Sequence, residues 1–194
     1  VRFTPRQDGY MKHPSNRAFY AYWDEKRDGE RAPDRREIEP AAVRELLGDI
    51  FVLSCEAKGY PFRVAGTRLC ALLDRDLKGH DFADLFGAAS RAEMTDMLGV
   101  VSDELLAAVA GVTATARDGS LAHLELLLLP FSNRTHAPIS MTGLLAPMRH
   151  NGQPLGDFTL TSWRYMNHPP QRFVPRALKK LAIARGFMVY EGLR

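Results

Sequence analysis

Two charged side chains stand in segments that are otherwise apolar, and they are the residues best placed to bind a polar group. Arg68 lies in the short run TRLCALL, and Glu125 interrupts the apolar run LAHLELLLLP. A charge removed from water is costly unless it is paired or hydrogen-bonded. Three interpretations stay open: both side chains reach solvent, they form structural ion pairs or hydrogen bonds, or they anchor a ligand.

The other reactive residues do not indicate a catalytic or metal-binding cluster. The six histidines are scattered, and the motifs of serine hydrolases, zinc proteases and nucleotide-binding loops do not occur. Cys55 and Cys70 lack CxxC spacing, so we interpret them as free buried thiols. His80 lies at a predicted turn, which favours a surface histidine over a haem ligand. We therefore expect a protein that is not an enzyme, with no metal and no cofactor, although it could bind an unidentified small molecule.

Length and composition indicate one globular domain with extensions. The chain has 194 residues, of which 45% are apolar and 25% charged. It contains no apolar run of about 18 residues, the length of a membrane span. Its first residues also lack the apolar stretch of a secretory signal. We expect a cytoplasmic protein.

The basic charge is concentrated near the C-terminal end. Residues 163–194 hold seven Lys and Arg residues against Glu191 alone, a net charge of +6, whereas residues 1–162 carry −3. Nucleic-acid-binding domains usually carry their charge on the folded face, so we expect no nucleic-acid partner. A basic helix predicted over about 176–186 would dock through Val174, Leu178 and Leu181, and a membrane surface is the less favoured alternative.

Hydrophobic periodicity and turn residues predict the elements that position these side chains. Helices are expected over about 16–27, 40–47, 66–73 and 90–109, with Ser15 as the first N-cap and a turn over 82–86 capped by Asp81. Strands are expected over about 49–56, 60–65, 110–117, 121–130 and 138–149, with a further extended segment over 158–165. Hairpins and helical excursions then give one antiparallel sheet with helices on one face, an α+β fold.

This order of elements, together with several runs, resembles PAS domains, and in particular a PAS-like family of short standalone alphaproteobacterial proteins. The matching runs are FYAYWDEKR (19–27), IEPAAVRELLGDIFVLSCE (38–56), FRVAGTRLC (62–70), DRDLKGHDFADLF (74–86) and ELLLLPF (125–131). The resemblance implies a five-stranded antiparallel sheet in the spatial order 2-1-5-4-3, flanked by helices that enclose a pocket. We divide the chain into an arm over 1–12, a PAS-like domain over 13–165 with an N-terminal helix, and a basic tail with a helix over 166–194.

The resemblance implies a non-catalytic sensory or regulatory module that acts in bacterial signalling through a small ligand, protein association, or both. Strand alternation and helix periodicity predict one apolar core from Phe62, Val64, Leu69, Leu72, Leu126 and Met141. The expected ligand-binding residues are Phe62, Val64, Arg68, Leu72, Glu125 and Met141. The expected contacts with a second copy or a regulatory partner are Phe19, Tyr22 and Trp23, unless these residues pack within their own chain.

Two alternatives to a ligand sensor stay open. An interaction adaptor would fill the pocket with its own side chains. A small enzyme of a related fold would need Arg68, Glu125 and His123 to converge in the pocket.

Overall fold

The computed structural model of the protein describes residues 11–132, 138–149 and 152–166, together with the backbone of residues 178–184 and 187–192. The helices are α1 (Pro14–Lys26), α2 (Thr67–Leu73) and α3 (Ala88–Glu104), with 3₁₀ helices at Arg35–Glu37 and Phe82–Leu85. The strands are β1 (Ile50–Ser54), β2 (Phe62–Ala65), β3 (Ala107–Ala116), β4 (Leu121–Pro130), β5 (Ser140–Pro147), β6 (Leu155–Met166), β7 (Leu178–Ala184) and β8 (Phe187–Gly192).

Strands β1 to β6 form one antiparallel sheet in the order β2-β1-β5-β4-β3-β6. The first five positions follow the predicted order, so the α+β fold class is confirmed. The sheet has six strands where five were expected, because the extended segment predicted over 158–165 is a full strand. This strand, β6, pairs with β3 along the edge of the sheet.

Both faces of the sheet are covered. The leucines of β4 from Leu124 to Leu129 are therefore buried on both sides of the strand. Leu124, Leu126 and Leu128 belong to the core on the inner face, which packs against α2, α3 and the 3₁₀ helix at Phe82–Leu85. Leu127 and Leu129 belong to a second core on the outer face. A strand buried on both faces loses the alternation of a half-exposed strand and becomes continuously apolar.

Helix α1 covers the outer face. Phe19, Tyr20 and Trp23 lie on one side of the helix and are buried in the outer core. The helix begins at Pro14 with His13 as its N-cap, whose Nδ1 accepts a hydrogen bond from the Ser15 amide. The prediction of Ser15 as the N-cap was therefore wrong by two residues.

The long helix predicted over about 90–109 differs from the structure at its C-terminal end. The helix expected to run to 109 ends at Glu104, and Leu105 caps it in the left-handed conformation with φ 53°. The Leu and Ala residues that follow favour a helix. Instead, Ala107 pairs with β6, and Val109 pairs with both β4 and β6. Tertiary pairing outweighs local propensity here.

The helix expected over 40–47 is a series of turns. Val43 donates to the Pro40 carbonyl and Leu46 donates to the Val43 carbonyl, each three residues back. These turns place Val43 in the outer core.

The prediction of a C-terminal helix over about 176–186 is also wrong for the residues whose backbone is described. Leu178–Ala184 and Phe187–Gly192 form an antiparallel two-stranded sheet. The predicted docking of Val174, Leu178 and Leu181 concerns side chains outside the described residues. The proposed domain boundary near 165 stays a prediction, although Met166 lies within β6 and is buried in the outer core.

Candidate functional site

The space between the sheet and the inner-face helices, where a pocket was expected, is packed with aromatic side chains. Five phenylalanines contact one another in sequence, with neighbouring ring centroids 5.1 to 6.0 Å apart. They are Phe51, Phe62, Phe82, Phe86 and Phe158, all nearly inaccessible to solvent. Aromatic rings at these separations are in direct contact.

Three of the expected ligand residues contribute to this packing. Phe62, Leu72 and Met141 are buried in the inner core, as are Leu69 and Leu126, so these members of the predicted core are confirmed. Their role in binding a ligand stays a prediction.

Val64 does not share the face of Phe62, and the prediction that it does was wrong. The register of β2 against β1 shifts, so that Phe62 pairs with Leu53 whereas Val64 pairs with Val52. The extra residue in such a β-bulge reverses the alternation of the strand. Ala65 therefore packs against the inner core, and the Val64 side chain is 48% exposed.

Arg68 lies at the surface, where it binds the turn that contains Glu45 and Asp49, and it does not enter the inner core. Its guanidinium donates to both carboxylate oxygens of Asp49, at 2.9 and 2.7 Å, and to the Glu45 carbonyl at 2.6 Å. The hydrogen bond and charge of Asp49 raise the pKa of Arg68. Beside this clamp, a Cβ on Gly66 would lie 2.2 Å from the Gly48 carbonyl oxygen, so only glycine allows the two backbones to approach.

Glu125 lies on the outer face, away from Arg68, and it fastens the start of α1 to the sheet. Its carboxylate accepts hydrogen bonds from the Lys12 amide at 2.6 Å, the His13 amide at 2.9 Å and the Asn16 side chain at 3.0 Å. The residue is only 6% exposed. A carboxylate at the N-terminus of a helix is stabilised by the unpaired amides there and by the helix dipole. Of the three interpretations, a hydrogen-bonded structural carboxylate therefore applies to Glu125, and Arg68 and Glu125 do not anchor one ligand together.

The side chains expected at a partner interface mainly pack against residues of their own chain. Phe19 and Trp23 are buried in the outer core, and the Trp23 indole donates to the Pro130 carbonyl at 3.0 Å. Tyr22 is half-buried, and its hydroxyl accepts a hydrogen bond from the Glu39 amide at 2.9 Å. Phe19 and Trp23 are therefore not available to a partner, which corrects that expectation.

A concave site of about 230 Å³ lies on the outer face, beside the start of α1; we call it the outer-face cleft. Residues of the α1 start, β3, β4 and β6 line it, among them Lys12, Gly111, His123, Glu125, Thr161, Ser162 and Arg164. Gly111 pairs with Glu125 on one side and Ser162 on the other, and its lack of a side chain leaves room for two hydroxyls of β6. An added Cβ would lie 2.8 Å from the Ser162 hydroxyl oxygen and 2.9 Å from that of Thr161.

Sequence reasoning did not find this cleft. The available signal was Gly111 inside an apolar strand, since glycine in a strand often marks a bulge or a close approach. The register of β6 does shift at Gly111, which brings the neighbouring Thr161 and Ser162 hydroxyls towards the same position. His123 and Glu125 both line this cleft. Arg68 does not, because it lies on α2, so the three groups that an enzyme would need do not converge.

Cysteines and metal-ligating side chains are the other groups that could form a site. Cys55 and Cys70 are free and half-buried, and burial raises the pKa of the Cys55 thiol. Among the described residues no group of three or more metal-ligating side chains converges. In that part of the chain no helix has the length and apolarity needed to cross a bilayer.

Comparison with known proteins supports the fold. The family model described as "PAS domain" matches residues 11–146, which include α1, all the inner-face helices and β1 to β4. No curated protein matches the chain.

Solved structures of similar fold include LOV and PAS domains. The crystal structure of the Rhodobacter sphaeroides LOV protein is 12% identical with a TM-score of 0.43, and the match covers 54% of this chain and 61% of that one. The light-state structure of the blue-light photoreceptor Aureochrome1 LOV is 10% identical with a TM-score of 0.44, covering 57% and 88%. The PAS domain of an HTR-like protein from Haloarcula marismortui is 18% identical with a TM-score of 0.41, covering 59% and 96%.

Proposed function

Because the chain belongs to the PAS domain family, we propose that it is a non-catalytic regulatory module that signals by associating with a second protein, in the first instance another copy of itself. PAS domains are in general sensory signalling modules. The finer assignment rests on one observation, which is that five phenylalanines fill the space between the sheet and the inner-face helices. An interior packed in this way favours protein association over an internal ligand.

The C-terminal half of β2 supplies a surface for such association, since Gly79 and His80 already bind the backbone of Phe62 at the other half. β2 is the terminal strand of the sheet, and Val64 presents an apolar side chain to solvent there. Leu47 is 42% exposed, and its carbonyl lies beside Gly66, two residues after Val64. Exposed apolar side chains on an edge strand favour pairing with another chain.

Native mass spectrometry of the full chain with its Val64→Asp variant tests this proposal. We expect the wild type to form a dimer and Val64→Asp to weaken dimerisation at least about tenfold, because the charge would be buried at the interface. Leu121→Asp is the matched control, since Leu121 is 68% exposed on β4 and should not affect dimerisation. A wild-type chain that is monomeric at every concentration, or dimers that are unaffected by Val64→Asp, would contradict the proposal.

The same experiment bears on the alternatives. A small molecule retained in the inner core would return the function to a ligand sensor. An enzyme is not favoured, because Glu125 already accepts three hydrogen bonds and Arg68 is engaged elsewhere. A cytoplasmic location is part of the proposal and rests on the signalling role of the family.

A further inference from the structure

The outer-face cleft contains hydrogen-bond donors that the protein does not use. Among the described residues, the side chains of Lys12, His123, Thr161 and Ser162 make no hydrogen bond or ion pair with the protein. All four line one space of about 230 Å³. Other basic side chains do have a partner within the protein, as Arg68 has with Asp49 and Arg117 with Asp74.

The charge of the cleft favours an anion. Its lining includes the cations Lys12 and Arg164, a histidine, and Glu125 as the only carboxylate. The Glu125 carboxylate is turned to the start of α1, where three donors satisfy it. The acidic group is thus engaged by the protein, whereas Lys12, Thr161 and Ser162 line the cleft with side chains that no described residue binds.

The volume restricts the size of the ligand. Pockets for drug-sized molecules usually span about 300–1,000 Å³, and this cleft is smaller. The hydroxyls of Thr161 and Ser162 lie over Gly111, where a side chain would collide with them. The cleft therefore suits a compact ligand whose charged group accepts several hydrogen bonds.

We propose that the outer-face cleft binds a small phosphate or carboxylate anion, held by Lys12, His123, Thr161 and Ser162. The ligand would contact the residue that leads into α1 together with side chains of β4 and β6. It would thereby join α1 to the sheet at the point where Glu125 already fastens it. This inference goes beyond the proposed self-association and does not depend on it.

Calorimetric titration of the full chain with inorganic phosphate, and separately with succinate, tests the inference at constant ionic strength. Saturable binding of at least one anion is expected, and the two arms show which chemistry the site prefers. Lys12→Ala, His123→Ala and Ser162→Ala should each weaken that binding at least about threefold. The Ser162 variant leaves the net charge unchanged. A loss of affinity in this variant therefore indicates specific hydrogen bonding and not nonspecific electrostatic attraction.

Lys58→Ala and His80→Ala are matched controls, since both residues are exposed and neither lines the cleft. They should leave the affinity unchanged. The inference is overturned if neither anion saturates, or if the controls weaken binding as much as the cleft variants do. Hydrogen exchange provides a second readout, because at a subsaturating anion concentration the exchange of the α1 amides should slow more in the wild type than in Ser162→Ala.

Discussion

The two faces of the sheet are both buried, but different interactions hold them. The inner face is covered by α2, α3 and a 3₁₀ helix through a continuous apolar core with five contacting phenylalanines. The outer face is covered by α1 and by the turns that contain Val43, and it combines apolar packing with the buried polar pair Asn16 and Glu125. Apolar packing is non-directional, whereas hydrogen bonds require a defined geometry. The inner face thus has the larger apolar core, and the hydrogen bonds of the outer face define where α1 sits.

The buried polar groups of the outer face also lack one hydrogen bond. The Asn16 amide nitrogen donates to the Glu125 carbonyl and carboxylate, but the Asn16 Oδ1 is buried and has no partner among the described residues. A buried acceptor without a partner costs about 1–3 kcal/mol. This cost makes the docking of α1 easier to alter than the packing of the inner core.

The largest expected effect tests the inner face. Phe62→Ala should lower the free energy of unfolding by about 3–5 kcal/mol, because it removes a ring from a packed core and leaves a cavity. Urea unfolding measures the change. Val64→Ala, two residues away but exposed, should cost less than about 0.5 kcal/mol. Equal costs for the two variants would mean that the bulge in β2 does not separate their faces.

A smaller effect is expected on the outer face. Glu125→Ala leaves the Lys12 and His13 amides and the Asn16 side chain without their acceptor, so we expect a loss of about 1–3 kcal/mol. Hydrogen exchange should be faster in α1 and unchanged in α3. Glu93→Ala is the control, since it removes an exposed carboxylate that binds the Trp163 indole on the inner side. If exchange in α1 did not change, Glu125 would not be what fastens the helix.

The smallest expected effect concerns the contact between β6 and α3. Burial, assisted by the charge of Asp96, raises the pKa of Tyr165 from 10.0 to about 12. The folded state therefore favours the neutral phenol, and this contribution to stability is complete below pH 10 and is lost as the pH rises through 12. Tyr165→Phe should lose less stability than the wild type over that interval, as measured by urea unfolding at each pH. Identical profiles would contradict the assignment.

The sequence was sufficient for the features that depend on local pattern. The leucine run of β4 predicted both its bounds and its burial, and Asp81 was correctly predicted to cap the 3₁₀ helix that follows it. Val64 was misplaced because a bulge depends on pairing between two strands, which alternation within one strand cannot show.

The candidate site was harder to predict, since it joins residues far apart in the chain. Glu125 is an anomaly in its own strand, but its partners lie 109 to 113 residues earlier. The outer-face cleft depends on the register between Gly111 and Ser162, which no local pattern specifies.

The long separation between α1 and Glu125 has a consequence for how the protein is made. A ribosome produces Lys12 113 residues before the carboxylate that fastens it. At roughly 5–20 residues per second, the α1 segment waits roughly 6–23 seconds for its docking surface. An isolated helix of this length is marginal in water, so Phe19 and Trp23 stay uncovered on the nascent chain until β4 has emerged. Helix α1 is thus synthesised before the strand that fixes its position.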